Sequence, residues 1–394
     1  MKLLIKNTRM VDEKLDFIGD LYIEDGKIIQ YGVDLNYDCE TIDGRDLVLM
    51  PAFIDLHAHF REPGYTHKED LLTGGQAALK GGFTFVNLMG NTDPICSSME
   101  IVDYILDKGK ALNLVDIHQC VSITKNFDGK TLEHLDFLDN KVKIITDDGM
   151  GINSNIVMYR AMVKAKELDL TIMTHAEDKD LTPIDYRVSE NIITIRDIYL
   201  SKITGAKLHL AHVSTKEAIE EIRKAKAEGV NVTCEVTPHH ISLWDNDYKV
   251  NPPIRRKVDV KEIIKGIVDG TVDTIATDHA PHTEEDKRNG SPGLSGLETA
   301  FSVTYTTLVK GNKISLKKLS GLMSGNGGRI MNIQKGRIKE GYDADLVLVD
   351  INKKWNIDSN TFVSKGKNTP FNGMEVFGEV HMTLKGGLVK YRRK

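Results

Sequence analysis

The stretch Ala52 to Gly64, AFIDLHAHFREPG, ends an apolar run in two histidines one residue apart, with an arginine just beyond them. Side chains at i and i+2 of a strand point to the same face, so His57 and His59 can converge on one ion while Ala58 turns away. Neutral imidazole is a common zinc ligand, and carboxylates from elsewhere would complete an N/O site suited to zinc or a similar divalent ion. Such groups recur where other apolar runs end: Asn91, Asp147 with Asp148, His175, His212, His239 with His240, and Asp278 with His279 and His282. One buried histidine is more often structural. The accumulation at successive run ends is what favours a metal site.

Two of these stretches say more about chemistry. Asp278, in ATDHAPHTEEDK, suits a metal ligand that also accepts a proton from water on the ion, because the ion lowers that water's pKa toward neutrality. Pro281 stops the strand and holds His282 where it could donate to a substrate oxygen; capping or support of a ligand is the alternative for His279 and His282. Arg61 offers a planar guanidinium that matches a carboxylate through two parallel hydrogen bonds, and so could anchor an anionic substrate. The competing role is a salt bridge to Glu62 or Glu69.

The order of elements shows what would bring these groups together. From Leu47 to about Met331 a short β-branched run, a polar break and a helix-like segment alternate, and eight runs qualify as strands: LVLMPAFIDLHAH, FTFVNLM, LVDIHQCVSI, KVKIITDD, LTIMTHAE, KLHLAHVS, VNVTCEVTP and DTIATDHA. NIVMYRAMVKAKELD and KEAIEEIRKAKAEG read as helices, the second opening after Ser214 and Thr215 and closing on Gly229. This pattern predicts an α/β protein with a TIM-like (β/α)8 barrel over residues 51–334, in which strand C-terminal ends converge on one mouth. Residues 1–50 and 335–394 read as short strands and turns without helices, and are expected to pack together as one composite β-sandwich domain.

Composition removes several functions. The 394 residues include 52 Lys and Arg against 57 Asp and Glu, a formal net charge of −5, with no basic run to track a phosphate backbone, so nucleic acid is not expected as a partner. No stretch approaches the roughly 18 apolar residues of a membrane span, and the N-terminus reaches charged residues before a signal-peptide core forms. Cys39, Cys96, Cys120 and Cys234 lie far apart, which argues against a disulfide framework and for a reducing, cytoplasmic setting.

Taken in order, DLHAHFREPG, MGNTDP, TDDG, HAED, AHVSTKE, EVTPHH, NPPIR and ATDHAPHTEEDK resemble the amidohydrolase superfamily and, within it, the bacterial class I dihydroorotases, over nearly the whole chain. The resemblance implies reversible interconversion of N-carbamoyl-L-aspartate and (S)-dihydroorotate plus water, a step of de novo pyrimidine synthesis. It implies two zinc ions, His57 and His59 on one, His175 and His212 on the other, Asp148 between them, and Asp278 as metal-bound acid/base acting with a metal-bound hydroxide. Arg61, Asn91 and His282 correspond to the grip on the ring carboxylate, Asn251 to a ring contact, and Pro292 and Gly293 to a substrate loop. Ring closure consumes a proton, so acid favours the ring and alkali the open form.

Departures from the family pattern matter at two places. Thr146-Asp147-Asp148 stands where many relatives carry a carbamylated lysine, with Lys143 set back in the strand; alternation puts Asp147 and Asp148 on opposite faces, and only the resemblance selects Asp148. Pro292, in SPGLSG, replaces an aromatic residue of the relatives' loop. The rival functions are a cyclic amidase for neutral rings, namely dihydropyrimidinase, hydantoinase or allantoinase, and a non-catalytic scaffold beside aspartate transcarbamoylase. A homodimer and association with that transcarbamoylase are the partner arrangements the resemblance leaves open.

Overall fold

The computed structural model describes residues 1–393. Each of the eight apolar runs contains one parallel strand. Phe53–Ala58, Phe83–Leu88 and Asp116–Gln119 form a three-stranded sheet, and Ile144–Ile145, Thr171–Thr174, Lys207–Leu210, Val232–Val236 and Thr274–Ile275 form a five-stranded one. Single parallel bridges lie between the two sheets, Ala58 with His279 and Val121 with Ile145. The backbone N–H of His59 donates to His279 O (2.8 Å) and that of Thr146 to Val121 O (2.9 Å). The arrangement fits a TIM-like barrel.

Local chemistry explains the helices that return the chain between strands. Thr215 caps Lys216–Ala227 by accepting from Ala218 N at 3.2 Å, and Gly229 takes the positive φ of 77° just beyond its end. Ser154 caps Asn155–Glu167, and Asp185 caps Tyr186–Thr204 through Arg187 N and Val188 N. Ile54, Leu56, Phe85, Ile144, Met173 and Ala276 belong to one buried cluster contributed by the strands. A larger buried cluster joins the strands to their helices.

The run from Leu47 to His59 holds two strands rather than one. Val48–Pro51 pairs antiparallel with Leu346–Asn356, whereas Phe53–Ala58 pairs with Phe83–Leu88. The break falls where proline removes a backbone donor. Ala52 N then donates to Asp345 O (3.0 Å) and Phe53 N to Gly82 O (2.9 Å), so the chain crosses between sheets within two residues.

Strands from both ends of the chain share a mixed eight-stranded sheet, in the order Leu388–Arg392, Glu375–Lys385, Leu346–Asn356, Val48–Pro51, Lys2–Val11, Asp16–Glu24, Lys27–Gly32, with Glu40–Asp43 also paired to Lys2–Val11. Leu3, Ile5, Leu21, Ile23, Leu346 and Leu384 are buried in a cluster of their own.

Candidate active site

His57 and His59 lie on the end of the first parallel strand and just past it, and both are buried. His57 Nδ1 is 2.7 Å from Glu235 Oε1, whose other oxygen meets His209 Nε2 at 3.1 Å. With its Nδ1 proton donated to Glu235, His57 presents a lone pair on Nε2 to Asp148 Oδ1 at 3.4 Å and Asp278 Oδ1 at 3.7 Å. His59 is oriented in the same way: Nδ1 donates to Asn91 Oδ1 (2.9 Å) and Nε2 faces Asp278 Oδ1 (3.3 Å) and Asp148 Oδ2 (3.6 Å).

His57 Nε2 and Asp148 Oδ1 are buried without a hydrogen-bond partner. Two acceptors facing each other call for a positive charge between them. Two groups of ligand atoms, each within 4.8 Å, are placed to supply it: His57, His59 and Asp278, and His57, Asp148 and His212. The His and Asp donor set and its burial fit a divalent ion such as zinc. His175 joins neither group of three, but its Nδ1 lies 3.5 Å from Asp148 Oδ1 and 2.8 Å from His212 Nε2, while its Nε2 meets Glu177 at 2.8 Å.

The electrostatics follow from this crowding. Burial would raise the Asp148 and Asp278 carboxyls, but the surrounding imidazoles outweigh it and hold both well below the usual range. Burial works against protonated His57, yet Asp148 and Glu235 raise it well above its ordinary value; the same contest leaves His175 raised to about 9 under Asp148 and Glu177.

Asp147 and Asp148 do face different ways. Asp147 turns from the cluster and accepts from Ile123 N (2.7 Å), Thr124 N (3.1 Å) and Thr124 Oγ1 (2.5 Å), fixing the loop after the third strand. Lys143 points to the other end, its Nζ on Met331 O at 2.6 Å.

A cavity of about 230 Å³ opens onto the cluster, lined by His59, Arg61, Asn91, Asp148, His175, His212, Asn251, Asp278, His282, Pro292 and Gly293 among others. Arg61 enters it in the left-handed region (φ 60°), as do His212 (φ 32°) and Asp278 (φ 47°), so three strained backbone positions meet at one mouth. Neither glutamate considered as its partner reaches Arg61. Glu62 accepts from Leu71 N, Tyr104 OH and Lys108. Glu69 is bound to His279, Thr73 and Ser364. Among the described residues no salt bridge engages the Arg61 guanidinium, whose Nε has no partner and whose one side-chain contact is His282 Nε2 at 3.4 Å.

His282 differs in detail from a free donor. Its Nε2 contacts Pro292 O at 2.8 Å, and burial with the Arg61 charge lowers the imidazole to about 4, so the neutral ring donates to that carbonyl and Nδ1 is left as an unpartnered acceptor. Asn251 is held by Tyr186 OH and donates from Nδ2 to Glu177 Oε2 (3.2 Å). Gly293 (φ 135°) has room only for hydrogen, since a Cβ would stand 2.6 Å from Ala280 O. Its carbonyl accepts from Lys287 Nζ (2.8 Å) and Asn368 Nδ2 (3.1 Å), and Asn368 Oδ1 receives His282 N (3.1 Å).

Three supporting residues went unnoticed in the sequence: Glu235, Glu177 and Asn368. Glu235 carried a usable sign, a carboxylate inside the apolar run VTCEV. His239 and His240 depart from the other run ends, because Thr237 caps a helical turn starting at Pro238. His240 is thereby spent on Thr237 Oγ1 (2.9 Å) and Pro252 O (3.0 Å), and His239 is buried with neither ring nitrogen bonded.

Parallel strands that end in imidazoles and aspartates around an unpaired cationic mouth define a hydrolase site of the metal-dependent kind. A model of the amidohydrolase family matches residues 48–389. A dihydroorotase of Clostridium botulinum is 56% identical over 398 residues, covering 100% of both chains, and one of Caldanaerobacter subterraneus subsp. tengcongensis is 39% identical, covering 100% of this chain and 98% of its own. Among solved structures, a dihydropyrimidinase from Brevibacillus agri superposes with a TM-score of 0.91 at 25% identity, covering 100% of this chain and 95% of that one. A D-hydantoinase from Thermus sp. gives 0.89 at 26%, covering 99% and 95%. The chain belongs to the amidohydrolase family, on its dihydroorotase branch.

Proposed function

We infer that the chain interconverts N-carbamoyl-L-aspartate and (S)-dihydroorotate, as a metal-dependent cyclic amide hydrolase in pyrimidine synthesis. The observation that carries this reading is Arg61: a guanidinium at the mouth of a histidine and aspartate cluster with no carboxylate of its own. An unpaired charge held half out of water is costly, and a substrate carboxylate relieves that cost. The solved structures named for dihydropyrimidinase and hydantoinase share the fold, but a neutral ring gives such an arginine nothing to pair with.

His57, His59, His175, His212, Asp148 and Asp278 are the residues that would hold the metal, which this reading takes to be zinc. When bound, such ions polarise the ring carbonyl and lower the pKa of water. Arg61 orients the ring by its carboxylate, with Asn91 and the Pro292–Gly293 loop closing the same side, and Asn251 contacts the ring. Asp278 carries the proton between water and the ring nitrogen, and in the reverse direction returns it. Arg61 stays charged throughout, which suits a carboxylate present in both substrate and product.

The two parallel sheets are read as one closed (β/α)8 barrel over residues 51–334, supported by the bridges at Ala58 and Val121, and the mixed sheet with its separate core as a composite β-sandwich domain of residues 1–50 and 335–394. Four free cysteines, three of them buried, accord with a cytoplasmic setting, and no described helix is long and apolar enough to cross a membrane. The test is an assay of the zinc-loaded protein on dihydroorotate, dihydrouracil, hydantoin and allantoin. Dihydroorotate is expected to be turned over far faster than the neutral rings; equal or faster hydrolysis of dihydrouracil would overturn the assignment.

A further inference from the structure

Lys287 closes the stretch ATDHAPHTEEDK and does not itself line the cavity, yet its ammonium stands directly behind the cavity's loop. Its Nζ donates to Gly293 O at 2.8 Å, Ser291 O at 2.9 Å and Lys249 O at 3.0 Å. An ammonium has three donors, so all of them go to backbone carbonyls, and among the described residues none goes to a carboxylate. The ring of Tyr248 covers a further side, its centroid 4.5 Å from Nζ. Three carbonyl oxygens that converge on one point repel one another unless a positive charge sits between them, and hydrogen bonds from such a charge are stronger than neutral ones.

The three carbonyls belong to two separate segments. Ser291 and Gly293 lie in the loop that walls one side of the cavity, and Lys249 stands two residues before Asn251 on another wall. A backbone bond from Gly293 N to Lys249 O (3.0 Å) joins the segments directly, and the ammonium lies beside it. Gly290 makes the approach possible: at φ 87° it turns the chain back over the helix Glu284–Arg288, so that Ser291 N reaches Asp286 O at 3.0 Å. We propose that Lys287 is the latch of the substrate loop, holding Pro292 and Gly293 against the Asn251 segment. It is a positioning residue, acting on the substrate through the loop, and the inference rests on the cavity being the dihydroorotate site proposed above.

Such a latch opens in alkali. Burial and the charge of Lys249 on the facing segment lower the Lys287 ammonium to about 8. Below that value all three bonds are made; above it the amine keeps two donors and turns a lone pair toward a carbonyl. Three neighbours keep their charge states across this range: burial pushes the Tyr248 hydroxyl up to about 12, burial and Arg61 lower His282 to about 4, and Thr283 and Lys68 outweigh burial to hold Asp286 well below the usual carboxylate range. The test is hydrogen exchange on the full zinc-loaded chain, with steady-state kinetics beside it. In Lys287→Met, which keeps the apolar stem, amides of residues 289–296 are expected to exchange at least ~10-fold faster at pH 7, with unchanged circular dichroism and zinc content. KM for dihydroorotate should rise at least ~10-fold while kcat stays within a few-fold. In the wild type, loop exchange corrected for its intrinsic rate and KM should both climb as pH passes 8, and both trends should vanish in Lys287→Met. Arg288→Ala, exposed on the same helix, is expected to change neither. Loop exchange that ignores Lys287→Met would overturn the latch whatever the substrate, and faster exchange with an unchanged KM would overturn its role toward the substrate. Faster exchange in a protein that does not turn over dihydroorotate would support the latch and remove the substrate reading beneath it.

Discussion

Replacing Arg61 by methionine separates a substrate anchor from a structural ion pair, because the two roles have opposite signs in two measurements. The guanidinium has no salt-bridge partner among the described residues, and burial lowers its pKa from the ordinary value. A hydrogen bond to a charged group is worth about 1.5–3 kcal/mol, so a two-pronged grip on a carboxylate amounts to about 3–5 kcal/mol, or roughly 10²- to 10⁴-fold in kcat/KM. That loss is expected for dihydroorotate and N-carbamoyl-L-aspartate, mostly through KM, whereas the slow hydrolysis of dihydrouracil stays within a few-fold. Thermal unfolding of the ligand-free variant is expected at or above the wild-type temperature, because an unpaired charge has been removed from a half-buried position. Dihydroorotate should raise the melting temperature of the wild type and not of the variant, since only a ligand that binds the native state shifts it. Equal losses on charged and neutral rings, or a clear fall in melting temperature, would refute the anchor.

Four other outcomes follow from the same geometry. Asp278→Asn is expected to lower kcat by at least ~10²-fold, because general acid/base transfer contributes that much; single-turnover kinetics check that the chemical step is the one affected. Glu235→Gln keeps shape and one acceptor for His57 Nδ1 but removes the charge behind it, and a 10- to 100-fold weaker zinc affinity by chelator competition is the expected result. Asn368→Ala removes one of the two donors to Gly293 O and the acceptor of His282 N, so KM should rise several-fold with kcat little changed, as steady-state kinetics would show. Removing the metal with a chelator should abolish turnover, and adding zinc should restore it; activity that survives verified metal depletion would contradict the proposed chemistry.

The parts of the site visible in the sequence were those that obey strand geometry. His57 and His59 declared themselves by spacing, and the other groups by standing where apolar runs stop. What escaped was set by tertiary contact: which of Asp147 and Asp148 turns toward the cluster depends on the loop at Ile123 and Thr124, and the carboxylate behind His57 comes from a distant strand. Glu235 reaches His57 across 178 positions of sequence. The turn at Thr237 and Pro238 withdrew His239 and His240 from the strand end, since an N-cap threonine and a proline at the first helical position act together. In the fold, Pro51 divided a run that periodicity alone could not divide, because both halves are apolar and buried.

The hold of Asn368 on the Gly293 loop bears on how such a protein can be altered by recombination. Ser295 N donates to Asn368 O at 2.7 Å and Ser295 Oγ to Gly366 O at 2.9 Å, so the segment near the end of the chain is stitched to the mouth of the cavity by side chains and backbone alike. A chimera that exchanged residues 335–394 with those of a relative would import a foreign clamp for the ligand loop along with a sheet. The two regions must therefore be inherited as a pair, and crossovers that leave Gly366 to Asn368 with their own loop should be the ones that retain substrate affinity.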